Sequence, residues 1–265
     1  MLPTITSRRN PLVARFREIA RGGESDLVLL DGPHLLQGAV DAALRIRHVI
    51  VAGDAVDRPE LRRIVDTMTA NGVDIAAGSS TVMDAVSPVR SGSEIVALAE
   101  RPAVRAEQMY DGRMLVVIAA GVQDPGNFGA IVRVAEAGGA TGVVAAGGSA
   151  NPFGWKALRG SMASALRLPI AVHRHAADAV NEARGHGGRI VATVPRGGTP
   201  YVDADLRGRA AILIGGEGGG LPAEIVAAAD QRVTIPMEGR VESLNTAVAA
   251  AILVYEARRQ RNRQA

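Results

Sequence analysis

Short apolar runs that end in glycine or a turn, each followed by a stretch of helical periodicity, recur along the whole chain. Over residues 1–100, "LVLLDGP", "IRHVIVAG", "VDIAAGS" and "SEIVALAE" read as strands, and "NPLVARFREIARGG", "HLLQGAVDAAL", "PELRRIVDTMTANG" and "STVMDAVS" as helices between them. The pattern restarts at residue 113 with the strand "RMLVVIAAGV" and continues through "TGVVAAGG", "PIAVHR", "GRIVATVP", "RAAILIGG" and "QRVTIPM". Its expected helices are "NFGAIVRVAEAGG", "NPFGWKALRGSMASAL", "AADAVNEARGHG", "PAEIVAAAD" and "LNTAVAAAILVYEARRQRNR". Continuous apolar strands alternating with helices require a mostly parallel sheet with helices on both faces. The chain is therefore α/β: a small sandwich over 1–100, a polar linker over 101–112 and a larger domain over 113–265.

Composition removes several classes of chemistry. There is no cysteine, hence no disulfide, thiolate nucleophile or cysteine zinc site, and five scattered histidines give no ligand cluster, so no metal is expected. The start "MLPTITSRRNPLVARF" contains no apolar core of a secretory signal and no span is long enough for a membrane, which predicts a cytoplasmic protein. Net charge is +3, and Lys156 is the only lysine among the basic residues. Arg8, Arg9, Arg15, Arg17 and Arg21 gather near the start against Glu18, Glu24 and Asp26, which reads equally as a solvated helix face or as an RNA contact. Three Phe, three Tyr and one Trp provide little for base stacking.

In an open parallel sheet, ligands bind beyond the carboxyl ends of the strands, and three loops there hold the unusual residues. In "ILIGGEGGGLP" the glycines resemble a phosphate cradle, but Glu217 at the centre would repel an anion, and neither the dinucleotide spacing nor a P-loop lysine is present. In "QDPGNFGAIVRVAEAGGA", Asn127 is a good helix N-cap and Arg133 shares a face with Gly129 and Ala130, so it serves either as a surface arginine or as one laid along the helix toward a ligand. In "PMEGRVESLNTAVAAA", Ser243 and Asn245 precede a strongly apolar helix and read as caps when taken alone.

Together, in this order, "DPGNFGAIVRVAEAGGA", "LIGGEGGGLP" and "IPMEGRVESLNTAVAAAILVYEARRQ" resemble the three signature motifs of the SpoU (TrmH) family of the SPOUT superfamily, S-adenosylmethionine-dependent RNA ribose 2'-O-methyltransferases. Residues 8–100 resemble the ribosomal-protein-like substrate-binding domain that precedes the catalytic domain in many members. The resemblance implies a deep trefoil knot that forms the methyl-donor site, a homodimer paired through the final helix region, and RNA as partner. It further implies Arg133 as the catalytic arginine, with Asn127, Glu217, Ser243 and Asn245 completing the catalytic set, and Glu217 within hydrogen-bond reach of Arg133. Thr193 and the backbone at Gly215, Ile235 and Leu244 would line the S-adenosylmethionine site, and Arg8, Arg9, Arg15 and Arg17 would contact RNA. Large-subunit ribosomal RNA is the expected substrate, with transfer RNA, or a catalytically silent RNA-binding role, as alternatives. Three positions depart from the family pattern: Val134 where threonine is usual, Ala163 where glycine is common, and Asp31 where glutamate is commoner.

Overall fold

The computed structural model describes residues 2–22, 26–89, 92–104 and 106–262; Gly23 and Glu24 lie outside them. The chain divides into two compact units, Met1–Ala103 with Phe153–Arg167, and Val104–Pro152 with Leu168–Ala265.

The first unit runs β1 (Thr4–Ile5), α1 (Pro11–Ala20), β2 (Leu27–Asp31), α2 (Pro33–Asp41), β3 (Ile46–Ala52), α3 (Pro59–Ala70), β4 (Asp74–Gly78), α4 (Ser80–Val86) and β5 (Ile95–Glu100). Its sheet has the order β1-β4-β3-β5-β2, with β5 antiparallel to both β3 and β2 and the other pairs parallel. Proline opens α1, α2 and α3, where its missing N–H costs nothing, and Asn10 caps α1 by accepting from the Leu12 N–H at 2.8 Å.

The second unit comprises α5 (Ala106–Tyr110), β6 (Leu115–Ala120), α6 (Pro125–Gly138) and β7 (Gly142–Ala146). After α7 (Trp155–Gly160), which belongs with the first unit, it resumes with β8 (Ile170–His173), α8 (Ala176–Gly185), β9 (Arg189–Thr193), β10 (Thr199–Pro200), β11 (Ala210–Gly215), α9 (Ala223–Ala227), β12 (Gln231–Thr234) and α10 (Thr246–Asn262). All pairings in the sheet order β10-β12-β9-β11-β6-β7-β8 are parallel. The central strands are buried on both faces, with every residue of β6 and β7 inside, as their unbroken apolar runs require.

Besides the short strands β1 and β10, which the sequence reading did not include, two segments differ from the sequence expectation. The polar stretch 101–112 carries α5, because Met109 and Tyr110 are buried and Gly142 leaves room for the Met109 side chain; a Cβ there would sit 2.4 Å from Met109 Cγ. The single helix expected over "NPFGWKALRGSMASAL" is only α7 followed by a 3-10 turn at Ser164–Leu166, since Met162 and Ala163 take φ of +49° and +67° and end helical geometry between them.

The far end of α10 is tied into the second unit by a buried arginine. Arg261 donates to the carbonyls of Leu206 (3.0 Å), Arg113 (2.9 Å) and Met114 (3.0 Å), and Gln260 bonds Ala204 and Leu206. Burial and the neighbouring Arg113 lower the Arg261 pKa from its ordinary value, and carbonyl dipoles, not a carboxylate, solvate the cation. At its middle α10 lies against α6, where Gly138 admits Val254: a Cβ at Gly138 would fall 2.1 Å from Val254 Cγ1. Among the described residues no helix is long and apolar enough to cross a membrane.

Candidate active site

The register of β11 on β6 pairs Gly215 with Ala120, so the loops that follow these two strands leave the sheet side by side. They touch through glycine on both sides. A Cβ on Gly216 would stand 1.9 Å from the Gly121 carbonyl oxygen, and Gly121 itself has φ of +74°, a conformation that excludes most side chains. The β11 loop then folds back on itself: the Gly220 N–H donates to the Gly216 carbonyl at 3.2 Å, and a Cβ on Gly215 would lie 2.4 Å from the Gly220 carbonyl carbon. The glycines thus allow backbone to meet backbone.

That closed turn lifts Glu217 toward the N-terminal turn of α6. Asn127 donates its side-chain N–H to Glu217 Oε1, and Asn127 Oδ1 accepts from the Asn245 side chain at 3.0 Å. Asn245 in turn accepts with Oδ1 from the N–H groups of Ala247 (2.9 Å) and Val248 (3.3 Å), capping α10. One amide on each of α6 and the α10 entry, with one carboxylate on the β11 turn, therefore joins the three sequence motifs. Asn245 is both cap and site residue, because a side-chain amide has donors left after its oxygen has capped the helix.

Two expectations require correction. Asn127 is not the N-cap of α6; Asp124 is, accepting from the Asn127 N–H at 2.7 Å, because Pro125 fixes the first helical position and puts Asn127 inside the first turn. Glu217 does not hold Arg133: its recorded hydrogen bond goes to Asn127, and Arg133 is exposed with no hydrogen bond or ion pair among the described residues. Ser243 is exposed and likewise makes no side-chain hydrogen bond there.

Thr193, Gly215 and Ile235 stand at or just past the carboxyl ends of β9, β11 and β12, three adjacent strands; Val233 pairs with Thr193. Leu244 immediately precedes the capping Asn245. Among the described residues, the backbone N–H and C=O groups of Ile235 and Leu244 enter no hydrogen bond. Half-buried backbone donors and acceptors of this kind suit the edge of a heterocyclic base better than a phosphate.

Sequence reasoning passed over two hydroxyls. Ser149 Oγ donates toward the Ala119 and Ala146 carbonyls (2.9 and 2.8 Å) and accepts from the Val122 N–H at 3.0 Å, pinning the exits of β6 and β7. Thr234 Oγ1 bonds the Val194 carbonyl (3.1 Å) and the Gly198 N–H (2.9 Å), fixing the loop after β9. Their only signal was a hydroxyl residue at a strand exit. Of the arginines near the start, Arg8 spends its Nε on the Thr81 carbonyl at 3.1 Å, whereas Arg9, Arg15 and Arg17 are exposed.

Residues 114–255 match the SpoU rRNA Methylase family. The chain belongs to that family. It is 31% identical over 257 residues to the 23S rRNA (guanosine(2553)-2'-O)-methyltransferase RlmP of Bacillus subtilis, covering 96% of this chain and 98% of the relative. The 23S rRNA (guanosine-2'-O-)-methyltransferase RlmB of Xanthomonas campestris is 29% identical over 223 residues, 82% of this chain and 89% of the relative. Among solved structures, the AdoMet-bound rRNA methyltransferase from Sinorhizobium meliloti superposes with a TM-score of 0.84 at 28% identity, covering 97% of each chain. The SpoU methyltransferase AviRb from Streptomyces viridochromogenes, in complex with AdoMet, gives the same score and identity over 96% of this chain and 99% of its own. The α/β architecture with its mostly parallel sheet is thus that of SpoU methyltransferases.

Proposed function

We propose that this chain transfers the methyl group of S-adenosylmethionine to the 2'-hydroxyl of a ribose in large-subunit ribosomal RNA. The observation that carries the reading is the linked set Asn127, Glu217 and Asn245, one residue from each signature motif, at the carboxyl ends of the central strands. S-adenosylmethionine supplies an electrophilic methyl on a sulfonium that is already a good leaving group. The unpaired backbone groups at Ile235 and Leu244, with Thr193 and Gly215, would hold it.

What the protein must add is a hydroxyl in line with that methyl and stabilisation of the oxygen as its proton leaves. Arg133 has its guanidinium unspent and carries that role: it orients the 2'-hydroxyl and stabilises the developing alkoxide. A guanidinium offers only N–H donors, so it does not act as a neutral base. Asn127 and Glu217 fix the entry of α6, and Asn245 and Ser243 shape the opposite wall of the ribose site. Transfer would form the O–CH3 bond and break the S–CH3 bond, with the hydroxyl proton passing to solvent.

The same reading includes the finer family features. The region around 235–245 and α10 forms a trefoil knot, in keeping with the Gly121–Gly216 approach and the seating of α10 on α6. The first unit is the substrate-binding domain, with Arg8, Arg9, Arg15 and Arg17 toward RNA. Two copies pair through the outer face of α10, where Val248 and Tyr255 are each 48% exposed one heptad apart. The enzyme works in the cytoplasm.

The test is transfer of labelled methyl from S-adenosylmethionine into unmodified ribosomal RNA and transfer RNA, with Arg133→Ala beside the parent chain. Alkali-resistant label in one RNA that disappears with Arg133 supports the proposal. Absence of transfer to either RNA, with RNA still bound, would leave only an RNA-binding role.

A further inference from the structure

The first unit holds a buried charge that methyl transfer does not use. Asp31, the last residue of β2, has a side chain only 2% exposed. Its Oδ1 accepts from Ser87 Oγ at 3.1 Å, while Oδ2 is buried without a hydrogen-bond donor among the described residues. A carboxylate oxygen in that position is costly unless a cation compensates it. The compensating group is Arg159 on α7: its Nη1 stands 4.0 Å from Oδ2, and the side chain is 57% exposed. The guanidinium therefore stands beside a buried carboxylate while more than half of its side chain is in solvent.

One turn earlier on α7 is Lys156, exposed and without an ion pair among the described residues, so the two cations share the outward face at i, i+3 spacing. Its ammonium lies 5.5 Å from the centre of the half-exposed Trp155 ring. The backbone beneath them is held from below: Ala157 and Leu158 are buried, and the Arg101 guanidinium stacks over Phe153 at 4.3 Å.

We propose that Lys156 and Arg159 form a contact for RNA backbone phosphates, with Asp31 as the positioning residue that aims Arg159. The inference rests on RNA being the substrate. A guanidinium drawn toward a buried carboxylate through one nitrogen keeps its other donors for a phosphate, and a lysine beside it adds a second point charge. An exposed pair of cations serving only the fold would have no reason to leave Oδ2 unbonded at 4.0 Å, when a bidentate pair would satisfy both partners.

The experiment measures retention of unmodified, in vitro transcribed 23S ribosomal RNA on filters across a potassium chloride series, with S-adenosylmethionine affinity measured separately by calorimetry. Arg159→Ala and Lys156→Ala should each weaken RNA binding by about tenfold and flatten the slope of log Kd against log salt by about one. S-adenosylmethionine affinity should not change. Asp31→Asn should weaken RNA binding in the parent chain and add nothing in the Arg159→Ala background, which a purely structural role of Asp31 would not produce. Should Asp31→Asn fail to fold, as Trp155 fluorescence would reveal, the two surface variants decide alone. Parent-like RNA affinity and slope in both surface variants, in a chain that still methylates RNA, would overturn this proposal alone. A parent chain that neither binds nor methylates RNA would overturn the proposed function and this contact with it.

Discussion

The packing of α2 against the turn after α7 offers a quantitative check on the fold of the first unit. A Cβ at Gly38 would sit 2.3 Å from the Ala163 methyl, whereas carbon atoms in contact need about 3.5–4.0 Å, so one element must retreat by more than an ångström. Overpacking of this kind costs about 1–3 kcal/mol. Alanine in the interior of α2 recovers about 1 kcal/mol of helix propensity over glycine. Gly38→Ala should therefore destabilise the first unit by up to about 2 kcal/mol, the overpacking less the helix gain. Ala163 has φ of +67°, so Ala163→Gly relieves left-handed strain of about 1–2 kcal/mol while losing one buried methyl and gaining chain entropy, and should be near neutral. In the double variant the clash is gone and the helix gain remains, leaving a protein within about 0.5 kcal/mol of the parent or better. Trp155, the only tryptophan, lies on α7 and reports this region directly in urea unfolding followed by fluorescence. A Gly38→Ala variant more stable than the parent, or a cost that persists when Ala163 is glycine, would refute the reasoning.

Gly216→Ala, which drives a methyl onto the Gly121 carbonyl, should weaken S-adenosylmethionine binding by about tenfold or more in calorimetry, while Gly219→Ala, which meets nothing within 4 Å, should bind as the parent does. Arg133→Ala should lower kcat by about a hundredfold and move the unfolding free energy by less than about 0.5 kcal/mol, because the exposed side chain has no hydrogen-bond or ion-pair partner among the described residues. Tyr110 is buried beside the Glu182 carboxylate, and burial first, then that negative charge, raise its pKa above the ordinary value. The folded chain then keeps a proton that the unfolded chain releases, so stability is full below about pH 10 and falls as pH rises above it. Tyr110→Phe should flatten that alkaline loss in urea titrations.

Strands and most helices were legible because their signal is local: β6, β7 and β11 are unbroken apolar runs, and α6 is bounded by Pro125 and a left-handed Gly139. The turn at Met162 and Ala163 was not, since neither residue type announces positive φ; what holds it is tertiary, the bare Gly38 across from it. The α5 turn escaped for the same reason, its anchor being the space left by Gly142 thirty-two residues after Tyr110. Asn127, Glu217 and Asn245, which the structure links, fall one in each of the three motifs, but which of them bond each other was not legible. Which of two polar groups a carboxylate meets depends on where two loops leave a sheet, and only the Gly215–Ala120 register sets that.

That register also explains a glutamate among glycines. Had Glu217 met Arg133, the pair would have spent the cation on an internal partner and weakened it toward a developing negative oxygen. Bonded to Asn127, the carboxylate instead orients a neutral amide, whose oxygen accepts from Asn245 and so connects the α6 entry to the α10 cap. The anion in the loop thus ties the α6 entry to the α10 cap without engaging Arg133. The glycines around it are required by contact rather than by a ligand's phosphate: Gly216 must pass the Gly121 carbonyl, and Gly218 and Gly220, at φ of +84° and +63°, turn the chain sharply enough to return Glu217 to α6. A side chain at Gly216 would push the whole turn outward, and the carboxylate would lose Asn127 before the fold of the sheet was disturbed.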